Sequence, residues 1–185
     1  MTPLGGADLG RRLVELAYLE GDFVLRSGRR SRYYLDKYRF ETDPELLAGL
    51  GRELAALVRL HAPDADLLAG PELGAVPLAA VTSIETGIPF VIVRKEPKGY
   101  GTTNRLEGVF TAGGRVCVVE DVVTSGGALL SAVEALRAAE LDVCAAISVV
   151  DRQEGGAETI AAAGVAYASL YTVESLGLRP APQTA

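Results

Sequence analysis

The residues best suited to chemistry lie in one stretch, Val116-Cys117-Val118-Val119-Glu120-Asp121-Val122-Val123-Thr124-Ser125-Gly126-Gly127-Ala128. Its apolar start reads as a buried strand that ends on two adjacent carboxylates. The turn that follows offers two hydroxyls and two glycines, and then a helix begins. Helix N-termini expose unpaired N–H groups and a partial positive charge, so such a turn can hold a phosphate. Glycines let the backbone approach an anion closely and form a concavity around it. Two carboxylates beside a phosphate are repelled by it. They make sense if they accept hydrogen bonds from sugar hydroxyls or face a cationic centre, and a ribose 5-phosphate fits both halves. The plain alternative is an ordinary strand-loop-helix capped by Thr124.

Basic residues fall in two clusters. Arg26, Arg29, Arg30, Arg32, Lys37 and Arg39 lie within fourteen residues, and Arg94, Lys95, Lys98 and Arg105 form the second group. Taken alone, a charge run is usually a solvated face. Tyr33-Tyr34 alone reads as strand packing, and Arg152 alone as a surface arginine. The chain as a whole is acidic, with 18 Lys and Arg against 24 Asp and Glu and a formal net charge of -6. Phosphate backbones repel such a chain, which argues against nucleic acid as a partner and for a small polyanion. The single histidine, His61, excludes histidine-built zinc sites and Ser-His-Asp triads. Cys117 and Cys144 sit in apolar strand-like runs and read as buried reduced thiols of a cytoplasmic protein. No Gly-x-Gly-x-x-Gly opens a helix after the first strand, which removes a dinucleotide-binding reading.

The stretch 116–128 resembles the 5-phosphoribosyl 1-diphosphate (PRPP) signature of type I phosphoribosyltransferases. Three further segments resemble one branch of that family, the orotate phosphoribosyltransferases. They are Gly21-Asp22-Phe23-Val24-Leu25-Arg26-Ser27-Gly28-Arg29-Arg30-Ser31-Arg32-Tyr33-Tyr34-Leu35-Asp36, then Arg94-Lys95-Glu96-Pro97-Lys98-Gly99-Tyr100-Gly101 ending in Leu106-Glu107-Gly108, then Asp151-Arg152-Gln153-Glu154-Gly155-Gly156. Their order and spacing fit from about residue 10 to 176.

The resemblance implies that orotate and PRPP give orotidine 5′-monophosphate and pyrophosphate, in de novo pyrimidine synthesis. Mg²⁺ would be carried mainly by the PRPP diphosphate, with no side chain of the protein as its ligand. Roles carry over residue by residue. Arg26, Arg94, Lys95, Lys98 and Tyr100 would contact PRPP. Glu120 and Asp121 would hold the ribose hydroxyls, and Val122, Val123, Thr124, Ser125, Gly126, Gly127 and Ala128 would form the 5′-phosphate loop. Tyr33 and Tyr34 would flank the orotate ring, Thr124 would border it, and Arg152 would pair with its carboxylate. Lys98 and Asp121 would be the catalytic pair. Gly70 to Gly74 matches the loop near the pyrophosphate. Arg94 matches a residue that crosses a dimer interface, which implies a homodimer with shared active sites. The chain departs from the pattern in places. Tyr100 replaces a common histidine, Leu73-Gly74 replaces the Tyr-Lys of some members, Arg32 replaces a common proline, and neither Gly127 nor Ala128 carries a hydroxyl. A phosphoribosyltransferase for a purine or uracil, and a PRPP-sensing regulatory protein, are the competing readings. Arg152 speaks against the first, and the absence of a basic nucleic-acid-binding face speaks against the second.

The elements that must position these residues alternate between helix and strand. Asp8 caps a first helix carrying Leu9, Leu13, Leu16 and Ala17, which Gly21 ends. Phe23 to Leu25 and Arg32 to Asp36 form a hairpin. Asp43-Pro44 starts a helix that runs to about His61. Strands are expected at Leu67 to Ala69, Phe90 to Val93, Arg115 to Val119, Val143 to Val150 and Tyr167 to Thr172, with a fragment at Val109-Phe110. Helices are expected at Val76 to Glu85, Ala128 to Ala139 and Ala157 to Ala163, a loop at Val122 to Gly127, and a loose tail from Leu178. Residues 94–108 are polar and glycine-containing, and should be mobile without ligand. Continuous apolar strands between helices imply an α/β fold with a central parallel sheet flanked by helices. By resemblance this is the type I phosphoribosyltransferase fold, with a small N-terminal hood and a flexible lid loop. One domain over 1–185 is expected, with the hood and base-binding hairpin at 10–40, the PRPP-binding core at 65–172 and the lid at 94–108. With 49% hydrophobic and 23% charged residues, the composition suits a folded domain. No apolar run approaches the ~18 residues of a membrane span, and Met1 to Gly10 reads as no signal peptide.

Overall fold

The computed structural model describes residues 6–24, 30–96 and 105–178. In chain order the elements are α1 (Gly6–Ala17), β1 (Tyr18–Val24), β2 (Arg30–Leu35), α2 (Lys37–Glu41), α3 (Pro44–His61), β3 (Leu67–Pro71), α4 (Ala75–Thr86), β4 (Phe90–Val93), β5 (Leu106–Glu107), β6 (Arg115–Val123), α5 (Gly127–Ala138), β7 (Asp142–Asp151), α6 (Gly156–Ala162) and β8 (Ala166–Thr172). β1 and β2 pair as a separate antiparallel hairpin. The other six strands form one sheet in the order β5-β4-β3-β6-β7-β8. All its neighbours are parallel except the β4–β5 pair.

The central strands carry long apolar runs because both faces are covered. On β6, Cys117 and Val119 join the core built with Leu9 and Leu13 of α1, Leu50 and Leu54 of α3, and Leu78 of α4. Val116 and Val118 point the other way, into the core of Leu129, Val133 and Leu136 of α5 and Ile160 of α6. Each fully buried leucine contributes about 1.5–3 kcal/mol of burial. Both layers are therefore anchored on the strand that carries Glu120 and Asp121. α3 starts as its sequence predicts: Asp43 accepts a hydrogen bond from the Leu46 N–H at 2.9 Å, with Pro44 in the first turn.

Several boundaries differ from the sequence reading. α1 stops at Ala17, and Gly21 lies inside β1 at the irregularity between Glu20 and Phe23. A glycine there accommodates a bulge rather than ending a helix. β6 runs on through Val122 and Val123, which pair with Val150 and Asp151 of β7, so the expected loop is shorter. Val109-Phe110 is not a strand, and Val109 is 89% exposed. The fragment falls instead at Leu106–Glu107, opposite Val93 and Ile92. α2 had no counterpart in the sequence reading. Cys117 is buried and its thiol is pushed up to about 12 by burial, whereas Cys144 is only half-buried; both are free thiols. The tail beyond Leu178 lies outside the described residues. Among the described residues, no helix is long and apolar enough to cross a membrane.

Candidate active site

The chain leaves β3 toward β4 on one side and leaves β6 toward β7 and β8 on the other. The crevice at the carboxyl ends of β3 and β6 is therefore the topological switch point, where open α/β sheets bind ligands. Four segments meet there: the turn Glu72–Gly74 after β3, Glu120–Asp121 on β6, the loop 124–126, and the turn after β7.

The geometry of the loop can hold an anion. Gly126 stands at φ +83°, the left-handed region that only glycine enters at little cost. It has no side chain with which to cap α5, and Leu130 N–H is bonded back to its carbonyl at 2.9 Å. The N–H groups of the first helical turn therefore point outward, with Thr124, Ser125, Gly127 and Ala128 exposed around them. Close packing holds the loop in place from behind. A Cβ on Gly156 would collide with the Thr124 carbonyl and the Val123 side chain, and Arg152 N–H donates to Val123 O at 2.9 Å.

A cavity of about 630 Å³ opens in front of the loop, bounded by Thr124, Ser125, Gly127, Glu72, Arg94 and Lys95. Lys95 N–H donates to the Glu72 carboxylate at 2.7 Å, which ties the start of the 94–108 segment to the turn after β3. The two ends of that segment are also fastened together. Arg94 N–H donates to Arg105 O at 2.7 Å, Arg105 Nε donates to Arg94 O at 2.8 Å, and Arg105 Nη2 reaches Ser131 on α5 at 3.2 Å. Arg94 also lies 3.7 Å from Glu107.

Glu120 and Asp121 are both buried. As consecutive strand residues they leave on opposite faces of the sheet. Asp121 meets Lys37 Nζ at 2.6 Å, with Glu41 beside it. Glu120 accepts a hydrogen bond from the Asp121 N–H at 3.1 Å. Burial first, and then the Asp121 charge, push both Glu120 and Glu41 up to about 8. Burial opposes the charge of Lys37, but Asp121, Glu41 and Glu120 outweigh it and hold the ammonium above the usual lysine value. Burial and the shared field thus favour the protonated forms of Glu120 and Glu41 beside the Lys37–Asp121 contact, which limits repulsion of an incoming anion.

The hairpin β1–β2 brings Tyr33 to Arg152. The guanidinium carbon lies 5.5 Å from the Tyr33 ring centroid, and Tyr33 stacks on Tyr18 at 5.6 Å. Arg152 is buried, with Nε 3.0 Å from Glu154, while its Nη2 has no hydrogen-bond partner among the described residues. A buried guanidinium N–H in that state suits an anionic ligand. Tyr34 is not brought to Arg152. It leaves the opposite face of β2 and packs against Phe23 at 5.6 Å.

Residues 41–164 match the phosphoribosyl transferase domain family. The orotate phosphoribosyltransferase of Methanocella arvoryzae is 49% identical over 161 residues, 86% of this chain and 90% of that protein. This chain belongs to the orotate phosphoribosyltransferase family. The crystal structure of the Mycobacterium tuberculosis orotate phosphoribosyltransferase in complex with Fe(III) dicitrate superposes with a TM-score of 0.84. It is 35% identical, and the match covers 94% of this chain and 99% of that one. The same enzyme in complex with PRPP superposes with a TM-score of 0.79 at 33% identity, covering 94% and 99%.

Of the positions that the orotate phosphoribosyltransferase resemblance singles out, Arg26, Lys98 and Tyr100 lie outside the described residues. Arg94, Lys95, Glu120, Asp121 and 122–128 gather at the crevice. Arg152 and Tyr33 meet at the end of β7. Among the described residues of the N-terminal basic cluster, the side chains do not point to one patch. Arg30 pairs with Asp22 at 3.1 Å and Arg39 with Asp36 at 3.4 Å, whereas Lys37 turns inward to Asp121. Sequence reasoning counted Lys37 only as one charge in a run and did not single out Glu41 or Glu154. An Asp-Lys-Tyr-Arg-Phe-Glu string has a single apolar anchor, Phe40, and no period that would separate an inward lysine from the solvated charges around it.

Proposed function

We propose that this chain catalyses transfer of the 5-phosphoribosyl group from PRPP to orotate, working as one phosphoribosyltransferase domain. The observation that carries the reading is the convergence, at one sheet edge, of an uncapped glycine helix start, an acidic pair and the buried Arg152 guanidinium. The 5′-phosphate would sit on the 124–128 loop, in the field of α5. Glu120 and Asp121 would accept from the ribose hydroxyls. Orotate would lie at Tyr33 with its carboxylate on Arg152 and Thr124 at its border, and Tyr34 stands outside that contact. Arg94 and Lys95 would face the diphosphate.

In the reaction, the bond from the anomeric carbon to the diphosphate oxygen breaks and a bond to the orotate nitrogen forms. Positive charge develops on the sugar, where the Asp121 carboxylate is fixed in a buried setting and needs no reorganisation to stabilise it. PRPP would enter as its Mg²⁺ salt. Among the described residues, no three His, Cys, Asp or Glu side chains gather as a ligand set. Mg²⁺ typically binds through one or two carboxylates plus substrate phosphates and waters, so a substrate-borne ion fits this site and would offset the charge of the leaving diphosphate. The resemblance at Arg94 extends the reading to a homodimer with shared active sites, and the two free thiols suit a reducing, cytoplasmic setting.

The test is an assay of purified protein with PRPP, Mg²⁺ and orotate, uracil, hypoxanthine or adenine in parallel. Orotate alone should be consumed quickly, followed by loss of its absorbance. Preference for a purine or for uracil would overturn the assignment of Arg152.

A further inference from the structure

The turn after β3 reads Glu72-Leu73-Gly74 and carries no basic side chain. By the resemblance drawn above, this turn would lie near the pyrophosphate, and it offers no cation there. Yet Gly74 does not border empty space. A Cβ at that position would fall on the Asp121 carboxylate, 2.7 Å from Glu41 Oε1 and 2.9 Å from Lys37 Nζ. The backbone at Gly74, φ -65° and ψ -40°, suits any residue. Three side-chain ends therefore keep position 74 small, and one of them is an ammonium.

Lys37 reaches this point from α2, across 84 residues of sequence, and bonds Asp121 at 2.6 Å. The pair is sealed on one side only: the Asp121 side chain is 4% exposed and that of Lys37 is 32%. An ammonium has three donors. One is given to Asp121, the Tyr38 ring lies 5.5 Å from Nζ, and the partial exposure of the side chain leaves the ammonium within reach of solvent and of a ligand. Glu41, 2% exposed, has Oε1 without a hydrogen-bond partner among the described residues, so the corner is polar and only partly satisfied.

We propose that Lys37 is the pyrophosphate-side cation of this chain. It supplies from α2 the charge that position 74 lacks, and donates to the diphosphate of PRPP and to the released pyrophosphate. This rests on the phosphoribosyl-transfer reading above. The competing role is indirect: Lys37 would merely neutralise Asp121, and its loss would repel the anion through the exposed carboxylate.

The experiment is calorimetric titration of the full chain with Mg²⁺-pyrophosphate, alongside steady-state KM values for PRPP and orotate. Lys37→Met should weaken pyrophosphate binding and raise the KM for PRPP by about tenfold or more, as expected for a lost hydrogen bond between charged groups. The KM for orotate should stay within about twofold. The pyrophosphate penalty of Lys37→Met should persist in an Asp121→Asn background, where no carboxylate remains to repel the anion. Unchanged pyrophosphate affinity, an equal loss for both substrates, or a penalty that vanishes with Asp121→Asn would overturn the proposal. Should Lys37→Met not fold, Lys37→Gln carries the same measurements, because its amide keeps a donor for Asp121 without the positive charge. A folded Lys37→Gln with weakened pyrophosphate binding supports the role, and one with wild-type pyrophosphate affinity overturns it. A wild-type chain that neither binds pyrophosphate nor turns over PRPP with orotate would overturn the transferase reading and this proposal together. Wild-type turnover with an unaffected Lys37→Met overturns this proposal alone.

Discussion

Glu41→Gln removes a buried ionisable group while keeping its shape. In the folded chain Glu41 is 2% exposed, and burial together with the neighbouring Asp121 pushes it from an ordinary 4.5 up to about 8. The folded state thus binds this proton more tightly than the unfolded chain does. The stability tied to that difference is fully present below pH 4.5 and is lost as pH rises through about 8. At about 1.4 kcal/mol per tenfold change, the span sets an upper bound of about 5 kcal/mol. Glu120 and Lys37 share the same field, so one substitution isolates a part of it, about 2–3 kcal/mol. Glutamine has no charge to acquire and can still hydrogen-bond Asp121. Urea unfolding of both proteins without ligand, at pH 5, 7 and 9, gives the comparison. The variant should match wild type at pH 5 and exceed it by about 2–3 kcal/mol at pH 9. A difference that stays constant with pH, or a variant that falls behind as pH rises, would refute the buried-charge account of this cluster.

Arg152→Gln should raise the KM for orotate at least tenfold, the scale of a lost charge-assisted pair, and leave the KM for PRPP within about twofold. An equal rise in both would make Arg152 a partner of Glu154 and nothing more. Gly126→Ala should lower stability by about 1–2 kcal/mol, the cost of the left-handed conformation for an L side chain, and weaken PRPP binding beyond what that loss explains; an unchanged thermal midpoint would count against the loop geometry. Lys98→Ala, at a position whose role rests on family resemblance alone, should depress turnover severely with an unaltered midpoint. Normal turnover would remove Lys98 from the catalytic pair. Light scattering should give a dimer, and a fully active monomer would contradict a shared site at Arg94.

The sheet was legible because β3, β4, β6 and β7 contain apolar runs between helical patterns, the pattern of parallel strands covered on both faces. The turn at Thr124 to Gly127 was legible because two hydroxyls and two glycines are chemically unusual after an apolar strand. Where tertiary contacts decide, the sequence was silent. Tyr18 and Leu19 could continue α1, but pairing with Leu35 and Tyr34 draws them into β1. Val109-Phe110 has better strand propensity than Leu106–Glu107, yet only the latter is placed to meet β4. α2 has five residues, too few to show a period, and it forms because Phe40 and Glu41 are buried. Lys37 went unnoticed for the same reason. Which charge of a basic run turns inward is settled by where its helix docks, not by its neighbours in sequence.

β5 is two residues long, yet it changes what the sheet offers to other molecules. β4 is Phe90-Val91-Ile92-Val93, four apolar residues with high strand propensity. Left as the margin of the sheet, it would present a bare row of N–H and C=O groups, a template for the strand of another chain. The return of the chain at Leu106–Glu107 covers part of that row, and Arg94 and Arg105 close the next rung. A strand this short leaves little for an intruder to pair with. Excising residues 94–108 would therefore do more than shorten a loop. It would uncover an aggregation-prone edge, and loss of soluble protein from such a deletion would report on β4 rather than on catalysis.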